Sequence, residues 1–192
     1  VTISARNLTN RLLPVLLLAG LLAAAGCDDM SNIPLETVPS VDLERFMGDW
    51  YVIASIPTAL EKGAHNAIES YRLNEDGTVQ TTFTFRKDGF DGPLKTYTPK
   101  GFVRDDPSNA IWGMRFVWPI KADYRIIYLD EDYQVTVVGR LKRDYVWIMA
   151  RTPQIDDSEY ERILSFIEEQ GYDRSLVLEV PQRWDEDNDS LS

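Results

Sequence analysis

The chain has 192 residues, a formal net charge of −11 at pH 7, a single His and a single Cys. Such an acidic polypeptide repels nucleic acid and anionic membrane faces, so attachment to a bilayer has to come from lipid rather than from charge. One His cannot build a zinc site without further ligands, and one Cys leaves no partner for an internal disulfide.

The chain opens with Arg6 and Arg11 ahead of an apolar run, Leu12 to Ala25. That run is shorter than the ~20 residues that span hydrocarbon, and it predicts a cleavable export signal. It ends Ala24-Ala25-Gly26-Cys27, which resembles a bacterial lipobox with Ala24 where Leu is usual. The resemblance implies removal of residues 1–26 and diacylation of Cys27, which becomes the lipid anchor. An ordinary signal with a chance Cys is the alternative. Removal takes away two Arg and no acid, leaving 166 residues at −13, enough for one domain with its own core. Residues 27–40, with Pro34 and Pro39, read as a tether, and the acidic residues 185–192 as a disordered tail.

Between them, short strands recur at regular spacing: Trp50–Ile56, Ala67–Leu73, Val79–Arg86, Lys95–Val103, Ile111–Trp118, Tyr124–Leu129, Gln134–Leu141 and Tyr145–Arg151. Turn residues separate them every 8–12 positions, as in a sandwich or barrel; Asn74-Glu75-Asp76-Gly77 is the clearest hairpin turn. A helix follows, with Asp156 and Glu159 spaced as a capping box, Ile155 and Tyr160 as a staple, and Gly171 at the C-terminal cap. Leu176–Val180 reads as a ninth strand. Eight consecutive hairpin-linked strands suggest an all-β, up-and-down antiparallel barrel, whose closure removes exposed edges.

Four stretches carry a resemblance. Gly48-Asp49-Trp50 stands at the head of the first strand; Ile56-Pro57-Thr58-Ala59-Leu60-Glu61-Lys62-Gly63 is similar to the first large loop of apolipoprotein D; Leu129-Asp130-Glu131-Asp132-Tyr133 and Asp144 to Pro153, with Arg151, complete the set. Together they resemble the bacterial outer-membrane lipoprotein lipocalins of the apolipoprotein D branch, over residues 41–184. The resemblance implies an eight-stranded lipocalin barrel with one C-terminal helix and a short ninth strand. It assigns Gly48, Trp50 and Arg151 to a structural motif, with the Arg lying across the Trp ring at the closed end.

Alternation around Trp50 and Arg151 proposes an inward face that includes Val52, Ala54, Ile56, Phe83, Phe85, Met114, Phe116, Trp118, Tyr124, Tyr128 and Trp147. Alternation alone fits a solid core as well as a hollow one; the resemblance implies a cavity, and makes these its ligand-binding residues. The lining suits a fatty acid or lysophospholipid. Lys62, Lys87 and Lys121 fall in the expected mouth loops and are the candidates for the head group, with solvated surface as their other reading. A haem, pigment or sterol-like ligand is a second expectation, and an isomerase of this fold a more distant one. No enzymatic motif is found, no metal or other cofactor is implied, and similar proteins form homodimers. The family resemblance implies the outer membrane, facing the periplasm, whereas Asp28 after the Cys resembles an inner-membrane retention signal.

Overall fold

The computed structural model describes residues 34–184. The expected signal, Cys27 and the acidic tail lie outside the described residues. One helical turn, α1 (Leu43–Phe46), leads into β1 (Gly48–Ile56), β2 (Ala64–Leu73), β3 (Thr78–Lys87), β4 (Leu94–Tyr97), β5 (Lys100–Val103), β6 (Ile111–Val117), β7 (Ile120–Leu129), β8 (Val135–Gly139) and β9 (Val146–Ala150). Helix α2 (Asp157–Glu169) and β10 (Leu178–Glu179) follow. Neighbouring strands pair antiparallel, and β9 returns to β1 with Tyr51 opposite Ala150 and Ile56 opposite Val146, which closes the ring. The barrel has eight staves because β4 and β5 both pair with β3 and share one position. The single strand expected over Lys95–Val103 is broken at Thr98-Pro99, since proline has no N–H to give to the ladder. β10 pairs with the far half of β1, outside the ring.

Local chemistry sets the connections. Gly77 takes φ +73° and donates its amide to the Asn74 carbonyl at 3.0 Å, closing the β2–β3 turn. Gly171 takes φ +88° past the end of α2, where Tyr172 donates its amide to the Ile167 carbonyl at 3.0 Å. The expected capping box does not form: Asp156 makes no side-chain capping bond, and Glu159 accepts from Arg162 at 3.0 Å instead.

Two apolar clusters result. One fills the barrel interior, around Phe46, Trp50, Val52, Tyr71, Phe85, Trp112, Ile126 and Met149. The other lies outside the wall, where Ile163, Leu164 and Ile167 of α2 cover Ile127, Val137, Ile148 and Ala150. β-Bulges decide which cluster a residue joins. The β1–β9 register shifts between Val52 and Ala54, and the β7–β8 register between Ile126 and Tyr128; one extra residue reverses the inward parity beyond it. Ala54 and Ile56 therefore pack in the outer cluster, and Tyr128 packs at a tilt against Phe166 of α2 with ring centroids 5.6 Å apart. These three expected cavity residues face away from the interior. The chain from Pro34 onward hugs the wall: Leu35 is buried, and Val38 donates its amide to the Ile126 carbonyl at 3.0 Å.

Arg151 locks the closed end. Its guanidinium carbon lies 3.8 Å from the Trp50 ring centroid. Nη1 donates to the Asp49 carbonyl at 2.8 Å, and Nη2 to those of Arg45 (2.9 Å), Phe46 (3.2 Å) and Met47 (2.8 Å). Trp50 Nε1 donates to the Phe46 carbonyl at 2.9 Å. Gly48 has φ +94°, and a Cβ there would stand 3.3 Å from Arg151 Nη1. The Gly and Trp of the first motif and the Arg of the last thus form one unit. Arg151→Ala is expected to cost about 2–4 kcal/mol by urea denaturation, combining a lost cation–π contact with stranded carbonyls. Ligand affinity of the folded variant should stay within about twofold of wild type, and a large loss in a stable variant would remove the purely structural role.

Candidate functional site: a cavity at the open end of the barrel

Opposite the Arg151 lock the barrel holds a cavity of about 360 Å³, near the lower end of the ~300–1,000 Å³ typical of ligand pockets. Phe83, Tyr97, Met114, Ala122, Tyr124 and Trp147 form its walls. Thr58, Ala59, Leu60 and Glu61, in the β1–β2 connection, form one side of its rim, with Tyr145 beside them just before β9 and Phe116 of β6 farther round. The charged lining residues are Glu61, Glu69, Asp123 and Arg140.

Of the residues expected to face a ligand, Phe83, Met114, Phe116, Tyr124 and Trp147 line this cavity. Val52 and Phe85 are buried inside the barrel but do not line the cavity; Phe85 sits behind Phe83 and Tyr97, with centroids 5.2 and 6.2 Å away. Trp118 is 78% exposed at the tip of the β6–β7 hairpin and does not line the cavity. The register shift between Met114 and Val117 ends the simple alternation there.

None of the three lysines lines the cavity. Lys62 is exposed, and its carbonyl accepts from Lys87 Nζ, which also pairs with Asp88 at 3.4 Å. Lys121 lies 3.7 Å from the Phe102 ring centroid, on the outer wall. The cation that reaches the cavity is Arg140, just past β8. Its Nη1 pairs with Asp144 at 3.3 Å and its guanidinium lies 5.1 Å from the Tyr145 ring, while its buried Nε–H has no acceptor in the protein. Glu61 is fully engaged: it accepts from Trp147 Nε1 at 3.1 Å and from the Thr58 amide at 2.7 Å. The single His, His65, stands edge-on to Phe90 at 5.0 Å and is not a cavity residue. Among the described residues no group of His, Cys, Asp and Glu is placed to hold a metal ion.

A model of the lipocalin-like domain matches residues 41–182. The chain belongs to the lipocalin family. It is 32% identical over 156 residues to temperature-induced lipocalin-1 of Arabidopsis thaliana, covering 77% of this chain and 83% of the relative. It is 28% identical over 177 residues to the outer membrane lipoprotein Blc of Citrobacter freundii, covering 90% and 98%. The solved structure of insecticyanin from the tobacco hornworm Manduca sexta superposes with a TM-score of 0.62 at 13% identity, covering 81% of this chain and 87% of that one; at that identity the likeness concerns the fold.

The polar floor of this lipocalin is the feature that sequence reasoning missed. Ala67, Glu69 and Tyr71 form the inward row of β2, and Glu69 is paired between Trp50 of β1 and Phe83 of β3. An acid at an inward position between Ala67 and Tyr71 was the available signal. The Tyr71 and Tyr124 hydroxyls lie 2.6 Å apart, and the Tyr71 hydroxyl also serves Glu69. Burial pushes the Glu69 carboxyl up from its ordinary 4.5 to about 8; the charge of Glu61 adds to this and the Tyr71 hydrogen bond opposes it. Glu69 keeps some accessible surface, but that surface faces the cavity it lines and is screened from bulk water by the barrel. Burial first, and the Glu69 charge second, also hold the Tyr71 and Tyr124 hydroxyls protonated well above their usual range.

Between pH 4.5 and about 8 the native state keeps a proton on Glu69 that the unfolded chain releases. Its contribution to stability is thus complete below pH 4.5 and declines as pH rises toward 8. Water in the cavity softens the penalty, which is on the order of 3 kcal/mol at pH 8.5. Glu69→Gln should match wild type at pH 4.5 and exceed it by roughly that amount at pH 8.5. Urea unfolding of both proteins across this range checks it; parallel curves would mean that Glu69 ionises freely in the folded state.

Proposed function

We propose that this lipocalin is a noncovalent carrier of single-chain amphiphiles, fatty acids or lysophospholipids, held at a bacterial envelope by acyl groups on Cys27 and facing the periplasm. There it stores or moves such lipids during membrane maintenance. One observation carries the reading: a cavity with aromatic and thioether walls whose one accessible cation, Arg140, stands at the rim. A hydrocarbon chain gains ~0.8 kcal/mol for each methylene buried against such walls, before ordering costs. Its anionic head then stays at the rim, where the partly exposed Arg140 guanidinium, paired with Asp144, supplies a charge-assisted donor.

The cavity's modest volume suits one extended chain better than a broad planar ring system. The sole His lies away from it, so a haem would lack the commonest proximal ligand. Anchoring is supported by the likeness of residues 24–27 to a lipobox, and by the Citrobacter freundii relative, which is named an outer membrane lipoprotein. That relative favours the outer membrane over the inner one suggested by Asp28. No cavity residue pairs a nucleophile with a positioned base, so the reading is of a binder and not an enzyme.

Native mass spectrometry of the protein purified from its own envelope should show a fatty acid or lysophospholipid that leaves on collisional activation. A coloured, ring-type ligand in its place would transfer the cavity to the second reading. In titrations with hexadecanoate, Arg140→Ala should weaken binding about tenfold, the scale of a charge-assisted hydrogen bond, whereas a triple Lys62/Lys87/Lys121→Ala variant should bind as wild type. The reverse pattern would return the head group to the lysines.

A further inference from the structure

Glu69 is not explained by the fold. Its position in the β2 ladder needs only a backbone, and its neighbours across the sheet, Trp50 and Phe83, are aromatic. A carboxyl there lowers stability near neutral pH, and a lipid tail has no use for it. Its placement is nevertheless specific: Glu69 and Tyr124 both line the cavity, and Tyr71 bridges them.

We propose that Glu69 and Tyr124 form a specificity-determining polar anchor in the cavity floor, which selects hydrocarbon chains carrying a neutral hydroxyl on the inserted part over unsubstituted chains. The inference rests on the lipid-carrier reading and refines it.

The proton order supports a neutral partner. Tyr124 can donate to the Tyr71 oxygen and Tyr71 to the Glu69 carbonyl oxygen, which leaves the Glu69 O–H pointing at whatever fills the cavity. A hydroxyl accepts that proton and donates its own to a remaining lone pair of the carboxyl or of Tyr124. A bare methyl end leaves the Glu69 O–H unpaired where the chain has displaced water, which is how a hydrogen-bonding site rejects a ligand that lacks the group. A second anion is disfavoured by Glu61, whose charge already acts on Glu69. An ammonium group would require an ion pair to be desolvated on both sides. The titratable and charged groups around Glu69 are Glu61 from the β1–β2 connection, Tyr71 beside it on β2, Tyr97 of β4, Tyr124 and Asp123 of β7, and Arg140 and Tyr145 beyond β8. A chain entering the cavity strips the remaining water from Glu69, so binding also favours its protonated form.

The test compares hexadecanoate, 12- and 16-hydroxyhexadecanoate, and hexadecylamine on delipidated protein by calorimetric titration, with Glu69→Leu and Glu69→Gln beside wild type. At pH 6.5 one hydroxylated acid should bind wild type at least tenfold tighter than hexadecanoate. Glu69→Leu should abolish that preference while binding hexadecanoate at least as well, and Glu69→Gln should keep most of it. From pH 7 to 9, affinity for both kinds of acid should fall severalfold in wild type and stay level in Glu69→Gln. Equal preference in wild type and Glu69→Leu, or tightest binding of the amine, overturns the anchor and leaves the carrier reading standing. Failure of wild type to bind any of the acids overturns the carrier reading itself, and the anchor with it.

Discussion

The barrel depends on one side chain being in two places at once. Arg151 follows the last stave, covers the Trp50 ring of the first, and satisfies carbonyls at Arg45, Phe46, Met47 and Asp49. The first three of those carbonyls belong to the turn that leads into β1, where ladder partners are lacking. Without the guanidinium the Arg45 and Met47 carbonyls would lose their side-chain donor, at a cost of up to a hydrogen bond each, while that of Phe46 would keep the Trp50 indole N–H. Because the contact joins sequence-distant segments, it ties ring closure to the sealing of one end. Space can then remain at the other end without the wall collapsing into it.

Keeping that space requires apolar stability from elsewhere. The outer cluster under α2 provides it, and the two bulges make that cluster possible by turning Ala54, Ile56 and Tyr128 outward at the positions the helix covers. The same bulges explain the limit of alternation as a guide. A strict period of two placed Val52, Phe83, Phe85, Met114, Tyr124 and Trp147 inside, where they lie. It failed beyond each register shift, because a bulge leaves no mark in the hydrophobicity of a strand buried on both faces. Ala54 and Ile56 are as apolar as inward residues because they too are covered, but by the helix.

The fold was legible for a different reason than the site. Motif spacing and turn residues such as Gly77 and Gly171 report backbone requirements that are local, and local requirements are written in sequence. The broken fourth stave shows the same rule missed rather than absent, since Pro99 marks the break. The head-group candidates were chosen by loop membership alone. Loop membership cannot tell a side chain that leans over the mouth from one that stacks outside, as Lys121 does on Phe102. Arg140 was overlooked because it sits at the end of a strand, among charges that a surface hairpin ordinarily carries.

Glu69 is the instance where local and global preferences oppose each other. A carboxyl in the inner row of β2 is poor for β packing and poor for burial, and the structure answers it with a tyrosine pair instead of a counter-ion. Pairing with a cation would have kept the acid charged and fixed it as a structural ion pair. Surrounding it with hydroxyls and aromatic rings instead keeps it neutral, able to donate, and open to the cavity. Departures from local consistency that are left unrepaired in this way concentrate at functional sites. The residue least suited to the barrel wall is therefore the one whose chemistry says most about what the barrel is built to hold.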